Sequence, residues 1–198
     1  MKIGSLFSGY GGLDLAVSAV TGGEVVWHCE WADAPSKILA AHYPDVPNYR
    51  DVTKVDWSTV EPVDILTGGF PCQDLSIAGK RAGLKEGTRS GLWSYFCEAI
   101  EYLQPRMVVI ENVRGILSAS AHSEVESCPW CMGEPSDGKP EPSLRALGAV
   151  LGSLANLGNY EARWMGLRAS DSLAPHGRYR IFIVARRIDE PVQDTVGS

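Results

Sequence analysis

A glycine-rich turn near the amino terminus has the composition of a ligand-binding loop. Gly9, Gly11 and Gly12 stand between an apolar stretch and a helical pattern, where glycine lets the backbone approach a ligand at a helix start. Glu30 ends the next apolar stretch about 20 residues later, a place where an acid commonly accepts hydrogen bonds from ribose hydroxyls. These features predict a nucleoside-containing cofactor; the alternative is a tight turn and a solvent-facing glutamate. The glycine spacing differs from the dinucleotide fingerprint, which argues against NAD.

A second candidate for chemistry is the thiol of Cys72, which directly follows Pro71 at the end of another apolar stretch. A thiol at the carboxyl end of a strand is a candidate nucleophile, whereas most free cysteines are simply small buried residues. In a doubly wound sheet the first strand and the strand before Cys72 commonly lie side by side, and ligands bind in the crevice beyond their carboxyl ends. We therefore expect Cys72 and the glycine turn to share one crevice.

The elements that must position these residues alternate between strands and helices, which is typical of a parallel α/β sheet. The patterns predict strands at residues 3–7, 24–29, 46–51, 63–67, 107–110, 160–167 and 180–185, and helices at 13–20, 34–42, 92–103 and 143–157. Residues 80–90 are rich in glycine and cations and predict a mobile loop, and residues 118–142 predict an inserted loop. The last two strands follow each other without a helix, so we expect an antiparallel hairpin at the edge of the sheet.

Composition places few restrictions on function. The 198 residues are 44% hydrophobic and 21% charged, enough for one core in an ordinary globular α/β domain. The sequence has no transmembrane stretch and no signal peptide, which favours a cytoplasmic protein. The net charge is −6, so a nucleic-acid enzyme would need its cations concentrated locally. Two groups could provide them or could be solvated surface: Lys80, Arg81, Lys85 and Arg89, and Arg178, Arg180, Arg186 and Arg187.

The five cysteines are few and unevenly spread, which argues against a disulfide scaffold. Cys128 and Cys131, with His122 nearby, have half of a zinc-site spacing, but a second such pair is missing. We therefore expect a loop with two free thiols; the alternative is a structural zinc site.

Four ordered motifs carry a specific resemblance. They are Phe7-Ser8-Gly9-Tyr10-Gly11-Gly12, Gly69-Phe70-Pro71-Cys72-Gln73-Asp74-Leu75-Ser76, Glu111-Asn112-Val113 and Arg178-Tyr179-Arg180. In this order they resemble the motifs of the cytosine-5 DNA methyltransferases, over roughly residues 2–187. The resemblance implies a doubly wound, mostly parallel Rossmann-like sheet with a C-terminal antiparallel hairpin, and S-adenosylmethionine as methyl donor. It also implies a catalytic domain at residues 1–187, followed by a short tail at 188–198.

The resemblance further implies a role for each motif residue. The implied cofactor-binding residues are Phe7, Ser8, Gly9, Gly11, Gly12, Glu30, Trp31, Asp51 and Leu92. Among them Glu30 would hold the ribose, Trp31 would lie against the adenine and Asp51 would meet its exocyclic amine. The implied catalytic residues are Pro71, Cys72, Glu111, Asn112, Arg178 and Arg180. Cys72 resembles the attacking thiolate and Glu111 the acid that faces N3 of the target cytosine.

The chemistry of cytosine explains why such residues are needed. Its C5 is too weak a nucleophile to take a methyl group directly, and thiolate addition at C6 makes C5 electron-rich. Negative charge then develops towards N3, where a protonated Glu111 would stabilise it. The target base must also leave the duplex stack, at a cost of a few kcal/mol. A loop bearing cations, such as residues 80–90, is suited to closing over a flipped nucleotide.

The family normally continues into a target-recognition region and a closing segment, and the residues after Arg187 resemble neither. The sequence therefore leaves three interpretations open. The chain could be a DNA methyltransferase that acts on a flipped cytosine by itself. It could be a cofactor-binding subunit that needs a second chain for target recognition. Since a tRNA-modifying branch shares the same motifs, the substrate could also be RNA.

Overall fold

The fold was described from a computed structural model, which places residues 1–70, 92–118, 145–158 and 160–188. Its strands are β1 (Lys2–Leu6), β2 (Glu24–Cys29), β3 (Ile65–Gly68), β4 (Met107–Val113), β5 (Tyr160–Arg168) and β6 (Tyr179–Arg187). Its α-helices are α1 (Gly12–Thr21), α2 (Asp33–His42), α3 (Leu92–Leu103) and α4 (Ala146–Asn156). Short 3₁₀ turns occupy Val52–Lys54, Arg114–Leu117 and Ala169–Ser172. No helix in these ranges is both long and apolar enough to span a bilayer.

The six strands form one sheet in the order β2-β1-β3-β4-β6-β5. The first four strands are parallel, and β1 lies next to β3, as the sequence predicted for the strand before Cys72. The register aligns Leu6 with both Cys29 and Gly68, and Gly68 with Ile110. The four parallel strands therefore reach the same carboxyl edge together, and the residues that follow them emerge there side by side.

The predicted C-terminal hairpin is confirmed. Strands β5 and β6 pair antiparallel from Tyr160↔Arg187 to Arg168↔Tyr179, and β6 also pairs antiparallel with β4. This pairing places β6 between β4 and β5, so its amino end lies beside the carboxyl end of β4. The motif residues at the start of β6 thereby reach the edge where the parallel strands end.

Apolar packing on both faces fixes the sheet. The larger buried cluster includes Trp27, Phe96 and Ile110, and a smaller one on the α1 side contains Ile3, Val17, Ile65 and Val109. Trp27 is fully buried, and its indole N–H donates to the Glu61 carbonyl at 2.9 Å. A Cβ atom at Gly4 would lie 2.1 Å from the indole, so this position has no room for a side chain.

The predicted strand at residues 46–51 was wrong. The segment makes a single parallel bridge between His28 and Asn48. Pro44 and Pro47 have no N–H groups to donate, and Arg50 has a positive φ of 66°, so a regular ladder cannot extend through the segment. The other described elements match their predicted ranges to within a few residues. The predicted loop at 80–90 lies outside the described residues, as do all but the first residue of the predicted loop at 118–142 and most of the tail.

Candidate active site at the carboxyl edge of the sheet

Two adjoining cavities lie at the carboxyl edge of the parallel strands. The first has a volume of ≈ 390 Å³, and the residues lining it include Glu30, Trp31 and Asp51. The second has a volume of ≈ 440 Å³, and its lining includes Gly9, Glu111 and Arg178. Phe7 and Gly69 line both cavities, so the two form one crevice with a shared wall.

The glycine turn is built from backbone conformations that side chains disfavour. Gly9 and Gly11 have positive φ angles of 55° and 79°, and Phe7 adopts a φ of 52°. Glycine takes these angles without steric cost, whereas at Phe7 the same conformation is strained, as often occurs at ligand sites. The Gly11 N–H donates to the Ser8 carbonyl at 2.9 Å and closes the turn, after which Gly12 begins α1. Ser8 and Gly12 both line the second cavity.

Glu30 is buried at the carboxyl end of β2 and oriented by two backbone donors. Gly9 N–H donates to Oε2 at 2.8 Å, and Ala32 N–H donates to Oε1 at 2.7 Å. A carboxylate has about four acceptor positions, so each oxygen keeps capacity for a further donor. This geometry fits a group with two adjacent hydroxyls, as the ribose prediction requires.

Asn48 supports Glu30 from behind and was missed by the sequence interpretation. Its Oδ1 accepts from the N–H groups of Glu30 at 2.9 Å and Arg50 at 3.0 Å, and its Nδ2 donates to the Glu30 carbonyl at 3.3 Å. Asn48 lies in the segment that was predicted as a strand, and that prediction gave its side chain no role.

The remaining predicted cofactor residues also line the first cavity. Trp31 is 66% exposed, so its indole is available for stacking. Leu92 at the start of α3 contributes an apolar surface. Asp51 accepts from Thr53 N–H at 3.1 Å and Thr53 Oγ1–H at 2.8 Å, and its Oδ2 lies 3.3 Å from Lys54 Nζ. Partial desolvation raises the pKa of Asp51, but these contacts outweigh it and hold the pKa below its ordinary value.

Glu111 lines the second cavity and forms an ion pair with Arg180, whose Nε lies 2.5 Å from Glu111 Oε1. The contact is ionic in character, since the Nε–H is not directed as a hydrogen bond to any described acceptor. On the other side, a Cβ atom at Gly69 would lie 3.1 Å from Glu111 Oε2. The Glu111 carboxylate therefore lies between the Arg180 guanidinium and the backbone of Gly69, which has no side chain.

Asn112 connects β4 to the segment that leads to the predicted nucleophile. Its buried side chain donates from Nδ2 to the Phe70 carbonyl at 3.1 Å and accepts the Val113 N–H at 2.8 Å. Phe70 is the residue before Pro71. Pro71 and Cys72 themselves lie outside the described residues, so their placement remains a prediction.

The two described cysteines are poor nucleophiles. Burial, followed by the charges of Asp51 and Glu30, raises the pKa of Cys29 to about 12. Burial, followed by the charge of Glu101, raises the pKa of Cys97 to about 12. Since the thiolate is the reactive form, neither residue is available for nucleophilic chemistry near neutral pH.

The C-terminal cations do not form one group, which corrects the sequence interpretation. Arg178 is exposed and lines the second cavity near Arg180, whereas Arg187 lies at the far end of β6, roughly 30 Å from Arg178 for an extended strand. Arg187 instead donates from Nη1 to the Gln104 carbonyl at 2.7 Å. The other cation group at 80–89, and the thiols of Cys128 and Cys131 with His122, lie outside the described ranges.

Known proteins resemble this chain over most of its length. The family model described as "C-5 cytosine-specific DNA methylase" matches residues 1–196. Type II methyltransferase M.HhaI of Haemophilus parahaemolyticus is 28% identical over 189 residues, which cover 96% of this chain and 50% of that protein. Type II methyltransferase M.NgoBV of Neisseria gonorrhoeae is 31% identical over 168 residues, which cover 85% of this chain and 36% of that protein.

Among solved structures, DNMT2 of Spodoptera frugiperda superposes with a TM-score of 0.67 at 21% identity, over 94% of this chain and 50% of that one. This likeness supports the Rossmann-like fold. The chain thus spans about a third to a half of the length of these relatives. From the family model, which covers nearly the whole chain, we conclude that the chain belongs to the C-5 cytosine-specific DNA methylase family.

Proposed function

We propose that the chain transfers a methyl group from S-adenosylmethionine to C5 of a cytosine in DNA, through a covalent adduct with Cys72. The observation that supports this most strongly is the row of residues just beyond the aligned strand ends. The register aligns Cys29, Leu6, Gly68 and Ile110 across β2, β1, β3 and β4. The residues that directly follow them are, in the same order, Glu30, Phe7, Gly69 and Glu111. A cofactor held at Glu30 and a base held at Glu111 would meet over Phe7 and Gly69.

The first cavity fits the proposed cofactor. Glu30 offers free acceptor positions for the ribose hydroxyls, and Trp31 offers an aromatic face for the adenine. Phe7 and Leu92 add apolar wall. When bound, S-adenosylmethionine supplies an electrophilic methyl group. The protein's part is to orient that group towards the second cavity.

The second cavity supplies what the cytosine requires. In the proposed sequence the Cys72 thiolate adds to C6, and Glu111 in its protonated form donates a hydrogen bond to N3, where negative charge develops. C5 would then accept the methyl group, and the cofactor would leave as S-adenosylhomocysteine. Loss of the C5 proton to a water molecule would restore the C5–C6 double bond and release the Cys72 thiolate from C6. Arg180 keeps Glu111 oriented towards the base, and exposed Arg178 is placed to meet a phosphate.

We further infer that target recognition depends on residues beyond those placed here, since the relatives are two to three times longer than the matched region. A second chain could supply them. That additional region would recognise the bases that flank the target cytosine.

The experiment uses duplex DNA that contains 5-fluorocytosine. Fluorine replaces the C5 proton whose removal releases the enzyme, so turnover stops at the covalent adduct. We expect a species on a denaturing gel that requires S-adenosylmethionine and is absent in Cys72→Ser. Fluorocytosine-containing tRNA is tested in parallel, and an adduct with tRNA alone would move the assignment to RNA. A chain that binds S-adenosylmethionine by calorimetry but forms no adduct with either nucleic acid contradicts independent catalysis and favours the subunit interpretation.

A further inference from the structure

A buried polar chain connects α1 to the glycine turn. Asp14 in the first turn of α1 is 1% exposed, and its Oδ2 accepts from the Ser5 hydroxyl at 2.8 Å. The Ser5 Oγ also lies 2.8 Å from the Ser8 Oγ, and the Ser8 hydroxyl reaches the Ser5 carbonyl at 3.1 Å. An ionised carboxylate is acceptor-only, so it takes the one proton of Ser5, and the single Ser8 proton is then shared between the Ser5 Oγ and the Ser5 carbonyl. The chain therefore runs from Ser8 through Ser5 to Asp14.

A second branch ends at the same carboxylate without reaching the turn. Thr67 on β3 is fully buried, and its hydroxyl donates to Asp14 Oδ1 at 2.5 Å and lies 3.3 Å from the Gly4 carbonyl. His28 is 1% exposed with Nδ1 3.9 Å from Asp14 Oδ2, too far for a hydrogen bond. Burial lowers the pKa of His28 and so disfavours its charged form, while the charge of Asp14 opposes that shift.

A buried carboxylate without a cationic partner is costly unless hydrogen bonds and a helix amino terminus offset the loss of water. The position of the Asp14 carboxylate behind the Ser8–Gly9 turn indicates a role in holding that turn. Ser8 precedes Gly9, whose N–H donates to Glu30 Oε2 at 2.8 Å. Movement of Ser8 would therefore displace the donor that orients the predicted ribose-binding carboxylate.

We propose that Asp14 is a positioning residue for cofactor binding: through Ser5 it holds the Ser8–Gly9 turn, and the turn in turn orients Glu30. The identity of the ligand rests on the proposed function, but the positioning of Gly9 and Glu30 does not. Asp14 touches no cofactor atom in this account. It acts only through the two hydroxyls.

The test measures amide exchange at Gly9 in ¹⁵N-labelled, ligand-free protein, because that N–H reports directly on its bond to Glu30. In Asp14→Ala we expect exchange at Gly9 to accelerate about tenfold, the equivalent of losing one hydrogen bond to a charged group. Asp14→Asn should restore protection to within about threefold of wild type, since its Oδ1 can accept from Ser5 while its Nδ2 donates to Thr67. The dissociation constant for S-adenosylmethionine should follow the same order.

Thr67→Val is the matched control. It removes a buried hydroxyl from the same carboxylate and should lower the melting temperature as Asp14→Ala does, yet leave Gly9 exchange unchanged. If Asp14→Ala fails to fold, Ser5→Ala removes the hydroxyl that connects Asp14 to Ser8 and gives the same exchange readout. Equal acceleration in Thr67→Val and Asp14→Ala, or an unprotected Gly9 amide in wild type, overturns the positioning role. A wild-type chain that shows protection at Gly9 but binds no S-adenosylmethionine contradicts the proposed function and leaves the positioning role standing.

Discussion

Glu111 on β4 and Arg180 on β6 lie diagonally across an antiparallel pair, with the guanidinium Nε 2.5 Å from the carboxylate. Residues that stand 69 positions apart in the sequence thus form one unit, because β6 is inserted directly beside β4. The contact between Glu111 and Arg180 depends on the antiparallel direction of β6. A parallel strand in that place would put the start of β6, and Arg180 with it, at the opposite edge of the sheet.

Glu111→Gln tests the acid in this pair. The substitution keeps the shape of the side chain but removes its charge and acid–base capacity, so we expect methyl transfer to fall by about 10²–10⁴-fold. The dissociation constant for S-adenosylmethionine should change less than about twofold, since Glu111 does not line the first cavity, where Glu30, Trp31 and Asp51 lie. Radiolabel transfer to duplex DNA gives the rate, and calorimetry gives the affinity.

The matched control is Glu161→Gln, which removes an exposed carboxylate 3.2 Å from Arg163 on the outer strand of the same sheet. Exposed ion pairs contribute little, so this variant should methylate at the wild-type rate. A Glu111→Gln enzyme as active as Glu161→Gln would remove Glu111 from the mechanism.

Asn112→Ala tests the connection between β4 and the nucleophile segment. Loss of the buried hydrogen bond leaves the Phe70 carbonyl without its partner, at a cost of about 1–3 kcal/mol. We expect slower formation of the 5-fluorocytosine adduct with little change in cofactor affinity. Asn48→Ala should give the reverse pattern, because Asn48 supports Glu30 and not Phe70. The same effect of both variants on both measurements would show that the two asparagines act only on general stability.

Two glycines of contrasting surroundings test the packing of the fold. In Gly68→Ala the new Cβ would lie 2.5 Å from Phe96 Cε2 and 2.8 Å from the Leu6 carbonyl, so we expect destabilisation of about 1–3 kcal/mol. Gly152 lies inside α4 with no atom within 4 Å of a new Cβ, so Gly152→Ala should stabilise by about 0.5–1 kcal/mol. Urea denaturation measures both. Stabilisation by Gly68→Ala would mean that β1, β3 and α3 are less closely packed than described here.

The buried imidazole of His28 predicts a pH dependence of stability. Burial lowers the pKa of His28 from 6.5, although the charge of Asp14 opposes the shift. The unfolded chain therefore binds more protons than the folded one just below pH 6.5, so this residue's contribution to stability is complete above pH 6.5 and declines as the pH falls. Burial raises the pKa of Asp14 from 3.8, which gives a slope of the opposite sign: its contribution declines as the pH rises from about 3.8.

Because the two slopes oppose each other, the informative quantity is the difference between wild type and His28→Gln. We expect wild type to lose stability relative to the variant by roughly 1 kcal/mol per pH unit at most as the pH falls below 6.5. Urea denaturation at pH 7.5, 6.5 and 5.5 measures this difference. A constant difference across the series would show that His28 is charged, or exposed, in the folded protein.

Most of the fold could be predicted from the sequence because hydrophobic periodicity reports burial directly. The strand around Val109 begins with a continuous apolar run from Met107 to Ile110, as expected for a strand covered on both faces. The segment near Asn48 could not be predicted, since its apolar residues suggested a strand while its prolines and the positive φ of Arg50 prevented one.

The position of Glu30 at the carboxyl end of β2 could be predicted from the apolar pattern before it. Its role as a ribose ligand is a prediction from the common use of an acid at such a strand end. Asp14 and Asn48 act through contacts with residues on other elements, and no local pattern marks such partners. The arginines of β6 were grouped wrongly because closeness in sequence is not closeness in space along an extended strand. Cys72 remains a prediction from its motif and from its position after β3.

The strand order β4-β6-β5 has a consequence for how this domain folds. Strand β5 is made before β6 but pairs only with β6, so it cannot join the sheet until β6 has formed against β4. Pairings between distant segments are slow to form. The four parallel strands can pair while Arg180 is still unplaced. Any truncation before residue 179 would therefore leave these four strands with the edge of β4 open to aggregation.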